Sequence, residues 1–413
     1  MTSSTRIRYP KLRNIDIRPI VHEGRTLLLL RDPLQLSEAV LLVPPQLASV
    51  LALCDGRRED ARHLSIAHAL ISGLGIEPGT IGELLSALDE ALLLENQRFT
   101  EALGQALSYY REAEARPPAL AGQSYPADPD ELRRLLESYI EAAENIDAIP
   151  QPPRSNGCGL VSPHIDYARG GPVYAAVWKH AEEMVKAAEL VVLLGTNHFG
   201  GERPVTLTRQ NYATPFGVLP TAREVVDRVA EAIGEEQVFA GELHHRGEHS
   251  IELAAVWLHY MRDSRPVEIV PILCGGFGNF VSSDADVESD RENNLLIEVL
   301  KRETAGRRTL IVAAGDLSHV GPAFGGAPVE MAGHARLKEA DDELIERMCA
   351  GDARGFFEAI KRVEDRNNVC GVSPIYLAMR MLGDVQGERV SYDRCPADEH
   401  ETSFVSVCGV IFR

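Results

Sequence analysis

Apolar positions fall into two patterns along this chain: short unbroken runs, and stripes spaced at three and four residues. In the first hundred residues, Thr26-Leu27-Leu28-Leu29-Leu30 and Ala39-Val40-Leu41-Leu42-Val43 are separated by Arg31-Asp32-Pro33, which predicts a hairpin-like pair of strands. Pro44-Pro45 stops the second run. Helical spacing then takes over at 46–54, 61–74 and 80–94, the last with Ile81, Leu84, Leu85, Leu88 and Leu92 on one face. Asp55-Gly56 closes the first of these helices. Two strands followed by three helices predict a small winged-helix-like unit. A polar helix covers 97–115, and Arg116-Pro117-Pro118 marks a boundary between a domain of residues 1–115 and one of residues 119–413.

Beyond the boundary, Asp128-Pro129-Asp130-Glu131 reads as a helix start. Asp128 caps, Pro129 suits the first turn and Glu131 completes a capping box. Leu132, Leu135, Leu136 and Tyr139 form its buried face, and prolines in 150–153 end it. Strands and helices then alternate. Gly159-Leu160-Val161 is a strand that Pro163 must end, because proline cannot continue a ladder. Gly170-Gly171 allow a turn, and Pro172 opens a helix to about residue 188. The apolar run 190–194 leads into Gly195-Thr196-Asn197-His198-Phe199-Gly200-Gly201, and 310–314 leads into Gly315-Asp316-Leu317-Ser318-His319. Val369-Cys370-Gly371 precedes a helix at 374–382. Further helices are expected at 224–233, 251–261, 288–303, 329–348 and 353–363, and further strands at 267–273, 390–392 and 403–412. This alternation predicts an α/β fold with a parallel or mixed sheet flanked by helices. In such sheets ligands bind beyond the carboxyl ends of the strands. His164, His198, Asp316 and His319 all follow a strand end, which is how one metal site is assembled from distant segments.

Composition narrows the function. A net charge of -19 without a Lys/Arg-rich block argues against a nucleic-acid partner and against an anionic membrane surface. The apolar runs are too short to span a bilayer, and the N-terminal hexapeptide lacks a signal-peptide core, so a cytoplasmic protein is expected. Seven cysteines at irregular spacing, without a Cys-x-x-Cys pair, argue against a disulfide framework or zinc knuckle. Cys370 stands apart because it lies at a loop-to-helix junction beside Gly371. His249 lies at a helix start after Glu248, where it either lines a pocket or caps the helix. His244 and His245 are expected in solvent. Asn197 and Tyr167 are candidates for hydrogen bonds at the site.

Several blocks together resemble the Memo family, called AmmeMemoRadiSam system protein B in microbes. They are Ala121-Gly122-Gln123-Ser124-Tyr125-Pro126, Ser162-Pro163-His164-Ile165-Asp166-Tyr167, Gly195-Thr196-Asn197-His198, Glu248-His249-Ser250-Ile251-Glu252, Val270-Pro271-Ile272-Leu273, Gly315-Asp316-Leu317-Ser318-His319 and Cys370-Gly371-x-x-Pro374-Ile375. The family pattern has Ala-Gly-Tyr where this chain has Ile165-Asp166-Tyr167, a departure that puts a carboxylate beside the site. The resemblance implies a fold like the class III extradiol (LigB-like) dioxygenases and a mononuclear metal held by His164, His198 and Cys370. It favours Fe(II), with copper or zinc as alternatives. It also implies a radical-SAM and an AMMECR-type protein as partners, besides a small molecule or peptide. The N-terminal part loosely resembles PqqD-type peptide-binding domains.

The chemistry follows from the residue types. Two neutral imidazoles and one anionic ligand leave open positions on Fe(II). A thiolate in the third place is softer than a carboxylate, which shifts the expectation from a dioxygenase toward a redox role and also suits Cu(I) or zinc. His319, Asp316 and His249 are the candidate catalytic residues. Asp316 would orient a ligand imidazole and His319 would move a proton; helix capping and a surface histidine are the plainer readings. The expected function is that of a metal-binding redox protein of dioxygenase-like architecture. The competing expectation is a non-catalytic adaptor that binds a peptide in the same pocket. A zinc hydrolase is disfavoured, because no His-Glu-x-x-His pattern supplies a general base.

Overall fold

The computed structural model describes residues 7–146, 158–200 and 203–413. The N-terminal hexapeptide, the prolines of 150–153 and Gly201 lie outside them. The chain divides into two compact units, Met1–Glu112 and Ala113–Arg413.

The first unit carries β1 (Asp16–His22), β2 (Arg25–Arg31) and β3 (Val40–Val43) in one antiparallel sheet. Helices α1 (Ala48–Leu53), α2 (Ala61–Ser72), α3 (Pro78–Glu90) and α4 (Gln97–Glu112) follow. β1 was not foreseen. Its sequence, Asp-Ile-Arg-Pro-Ile-Val-His, buries no residue fully and so shows no apolar run. Leu30, Val50, Leu64, Ile81 and Leu88 form the core of this unit.

The second unit begins with α5 (Pro129–Ile146), whose first turn is capped by Asp128, accepting from the Asp130 and Glu131 N–H groups at 3.0 and 2.9 Å. Next come β4 (Gly159–Ser162), α6 (Tyr167–His180), α7 (Glu182–Ala187), β5 (Leu190–Thr196), β6 (Val205–Leu207), β7 (Tyr212–Thr214) and β8 (Gly217–Leu219). Then follow α8 (Arg223–Ile233), α9 (Glu235–Phe239), α10 (His244–Gly247), α11 (Ser250–Met261), β9 (Glu268–Cys274), α12 (Gly278–Ser282) and α13 (Arg291–Thr304). The chain closes with β10 (Thr309–Ala314), β11 (His319–Val320), α14 (Met331–Cys349), α15 (Ala353–Arg362), α16 (Val372–Leu382), β12 (Gly387–Pro396) and β13 (Phe404–Phe412).

The main sheet is mixed, in the order β11-β13-β4-β10-β5-β9-β6, with β12 beside β13. β4, β10, β5 and β9 run parallel at its centre, and β13 and β6 pair antiparallel on either side. The central strands are buried on both faces, which is why they read as unbroken apolar runs. Leu190, Val192 and Leu194 face α8, α13 and α16, whereas Val191 and Leu193 face α6 and α11. The result is a three-layer α/β arrangement. Among the described residues no helix is long and apolar enough to cross a membrane.

Two sequence expectations need correction. The helix expected from Pro172 starts at Tyr167, because Asp166 caps it by accepting from the Arg169 N–H at 3.1 Å, and Pro172 lies inside it. Gly170 and Gly171 are therefore helical. They serve close packing: a Cβ on Gly171 would lie 2.6 Å from the Tyr139 ring of α5.

Arg116, expected in a linker, is fully buried in the second unit. Its guanidinium pairs with the buried Glu252 carboxylate at 2.5 Å and donates to the carbonyls of His245 at 2.7 Å and Glu248 at 2.9 Å. Removing one partner of a buried pair leaves the other charge uncompensated, at roughly 3–5 kcal/mol. A fragment starting at Ala113 should therefore fold, whereas one starting at Ala119 should be less stable by about that amount. Urea unfolding of the two fragments checks this; equal midpoints would contradict it.

Candidate metal centre

Because β4, β5 and β10 are parallel, the loops that follow them share one edge of the sheet. β4 ends at Ser162, and Pro163 turns the chain so that His164 lies just past the strand, 2 % exposed. The His164 Nδ1–H donates to the Ala314 carbonyl at 3.0 Å, which leaves the lone pair on Nε2. That Nε2 meets the Cys370 Sγ at 3.1 Å, although the two residues are 206 positions apart. Asp316, at the end of β10, accepts the backbone N–H of His164 at 2.8 Å and of Ile165 at 3.3 Å. Its own carbonyl accepts from the Gly371 N–H at 2.9 Å, and the Thr196 hydroxyl donates to the Cys370 carbonyl at 3.0 Å. Each of these bonds engages a backbone group, and together they tie the three loops to one another.

The ligand atoms of His164, His198 and Cys370 lie within 4.8 Å of one another. Two further groups meet the same limit, His198 with Glu248 and His249, and Asp316 with His319 and Cys370. Glu248 organises the second group. Its buried carboxylate accepts from His198 Nδ1 at 2.9 Å, from the His198 N–H at 2.8 Å, and from the N–H groups of His249 at 2.9 Å and Ser250 at 3.0 Å. With Nδ1 donating, His198 also keeps its lone pair on Nε2. His249 stacks on His198, with centroids 4.6 Å apart and planes at 17°, and its Nδ1 lies 3.2 Å from Glu248. Both side chains are 36 % exposed, so the open face of the cluster is on their side.

Burial and charge set the protonation states. Burial pushes His164 down to about 4, against the pull of the Asp316 carboxylate. Burial also pushes the Cys370 thiol up, and the Asp316 charge adds to it. Burial would raise Glu248, but its interactions with His198, and after them those with His249, outweigh it and hold the carboxyl well below its usual range. Burial opposes a charge on His249, yet the bond to Glu248 and its charge hold this imidazole above its usual value. His319 is lowered by burial.

The model of the family described as Memo-like protein matches residues 116–411. The chain belongs to the Memo family. A MEMO1 family protein of Aquifex aeolicus is 27% identical over 414 residues, covering 98% of this chain and 99% of the relative. MEMO1 family proteins of Methanosarcina barkeri and Methanopyrus kandleri are 32% and 30% identical, each covering 67% of this chain and 91% of the relative. The Memo match thus begins at Arg116, the residue that ties Glu252 and the Glu248 carbonyl into the fold.

Within this Memo chain the remaining candidates are distributed as follows. His319 donates from Nδ1 to the Leu317 carbonyl at 3.2 Å and packs edge-on against Phe324. Asp316 does not cap a helix, since β11 follows it. His249 is not a capping side chain; Glu248 takes that role with its carboxylate. Tyr167 is buried and donates to the Leu253 carbonyl at 2.7 Å, so its hydroxyl serves the core. Asn197 lies beside the site and contacts His244 Nδ1 at 3.1 Å. Asp166 does not face the cluster; its carboxylate caps α6 and pairs with Arg169 at 2.6 Å. His245 was expected in solvent and is fully buried: Nε2 donates to the Thr206 carbonyl at 3.0 Å and Nδ1 accepts from the Tyr212 hydroxyl at 2.6 Å. Glu248, whose carboxylate organises the His198 side of the cluster, was not among the candidate residues. Its only signal was its place before a histidine at a helix start.

Two predictions follow from this packing. A Cβ on Gly371 would lie 2.6 Å from the Asp316 carbonyl oxygen, so Gly371→Ala must separate the Asp316 and Cys370 loops. It should cost roughly 1–3 kcal/mol of stability, as overpacking does, and speed labelling of Cys370 by a thiol reagent. Wild-type labelling and stability would contradict the stated contact. The second concerns His245, which burial pushes down to about 3. The unfolded chain takes up this proton below about pH 6.5 and the folded chain does not, so the stabilising contribution is full above about pH 6.5 and lost as pH falls. His245→Gln should flatten the fall in unfolding free energy between about pH 6.5 and about pH 4; an unchanged slope would contradict it.

Proposed function

We propose that this Memo protein is a metal-dependent redox protein, with the ion held by His164, His198 and Cys370 and a small molecule as substrate. Fe(II) is the favoured ion, with copper and zinc its competitors. One observation carries the reading: both imidazoles have their Nδ1 occupied, by the Ala314 carbonyl and by Glu248, while Cys370 Sγ stands 3.1 Å from His164 Nε2. Hydrogen bonds of this kind orient metal-binding histidines. The spread of up to 4.8 Å is one that an ion with bonds of about 2.0–2.3 Å closes by small side-chain movements. The donor set therefore fits a divalent transition metal. When bound, the ion would supply open coordination positions and one-electron chemistry.

The chain's own residues do the rest. Asp316 holds the His164 backbone in place through its N–H and lies 3.7 Å from Nε2. Glu248 orients His198 and keeps a proton on His249 at the open face. His319, on the Cys370 side, is the group to exchange a proton with a bound substrate. Buried walls around His164 exclude water from that side.

Metal content of anaerobically purified full chain tests the reading. About one ion per chain is expected. Cys370→Ser and His164→Ala should each lower affinity for Fe(II) at least tenfold with an unchanged circular dichroism spectrum, because a neutral hydroxyl replaces a thiolate in one and a ligand is lost in the other. His319→Ala should keep the metal. Unchanged stoichiometry and affinity in both Cys370→Ser and His164→Ala would overturn it.

A further inference from the structure

A cavity of about 400 Å³ lies between α14, α15 and the segment that leads to Cys370. That volume is in the range of small-molecule sites. Its floor is aliphatic: Leu337, Leu344 and Ile360 are buried there, beside Val320 and Val363. No aromatic side chain lines it, so nothing in it favours a flat ring over a saturated chain.

Its rim is charged unevenly. Glu343 is engaged by Arg362 at 2.6 Å. Asp365 accepts from the Val369 N–H at 2.8 Å, and burial pushes its carboxyl up, toward the neutral form. Arg336 and Arg366 line the same rim, and among the described residues neither guanidinium has an acidic partner. In a chain of net charge -19, two unmatched arginines above an aliphatic floor form a local positive site. An apolar tail would bury against the floor while a carboxylate engaged the guanidinium fork.

We infer that this cavity binds a small aliphatic carboxylate through Arg336 and Arg366. The site is distinct from the metal centre, since neither His319 nor Cys370 lines it, and the inference does not rest on the metal reading. It does adjoin the segment that carries them. Asn367 lines the cavity, and its carbonyl accepts the His319 N–H at 2.7 Å; Val369 lines it too and precedes Cys370. Glu364, Asp365 and Asn368 in this segment hold φ of 53°, 47° and 52°, a left-handed conformation that non-glycine residues keep only when their surroundings enforce it. A bound acid adds such an enforcing contact.

Calorimetric titration of the full chain with sodium octanoate tests this. Saturable binding of one octanoate per chain is expected. The exposed double substitution Arg336→Gln/Arg366→Gln should weaken it at least tenfold, as should Ala340→Phe, which fills the cavity. Octanol, with the tail but no charge, should bind at least tenfold more weakly. Hydrogen exchange of the amides of 366–369 should slow with octanoate. Absence of saturable binding at millimolar octanoate overturns the inference. So does wild-type affinity in both variants, or equal affinity for octanol.

Discussion

The candidate centre depends on two loops touching where neither can carry a side chain. A Cβ on Gly315 would lie 2.7 Å from the Gly371 Cα, and one on Gly371 would lie 2.6 Å from the Asp316 carbonyl oxygen. Neither glycine has a positive φ, so closeness and not backbone freedom requires them. This approach lets the Gly371 N–H reach the Asp316 carbonyl and puts Cys370 against His164. The parallel register of β4 with β10 and of β10 with β5 then brings in the other strand ends. The meeting of side chains far apart in sequence is here a property of the sheet.

The second constraint is a buried carboxylate that cannot be neutral without loss. Glu248 accepts two bonds from His198 and one each from the His249 and Ser250 backbones. Such a group is worth little as an isolated charge but fixes geometry when all its lone pairs are used. Arg116, buried against Glu252 and donating to the Glu248 carbonyl, anchors the segment from behind. The site is therefore held by polar contacts on the His198 side and by backbone packing on the Cys370 side.

Much of this was legible from residues alone, for definable reasons. Strands buried on both faces read as unbroken apolar runs, and Pro163, Gly195 and Gly315 mark where they stop, so His164, His198 and Asp316 stood out. Cys370 stood apart through its place beside Gly371 at a loop-to-helix junction, but its role as a ligand came only from the family pattern, since one cysteine at a helix start does not name a metal. Glu248 was passed over because both readings of that helix start, pocket lining and capping, were given to His249, whereas the carboxylate of Glu248 is the cap. Arg116 beside two prolines read as linker, because a buried ion pair with Glu252 leaves no periodicity. β1 and β11 were missed for other reasons: the first is largely exposed and the second is two residues long.

The central claim is that His164, His198 and Cys370 act on a single ion. X-ray absorption at the metal edge of the full chain loaded with one Zn(II) tests it most directly, with zinc as a probe ion. The account predicts one sulfur neighbour at about 2.3 Å together with two imidazole nitrogens at about 2.0–2.1 Å. A first shell of nitrogen and oxygen alone, without sulfur, would contradict it.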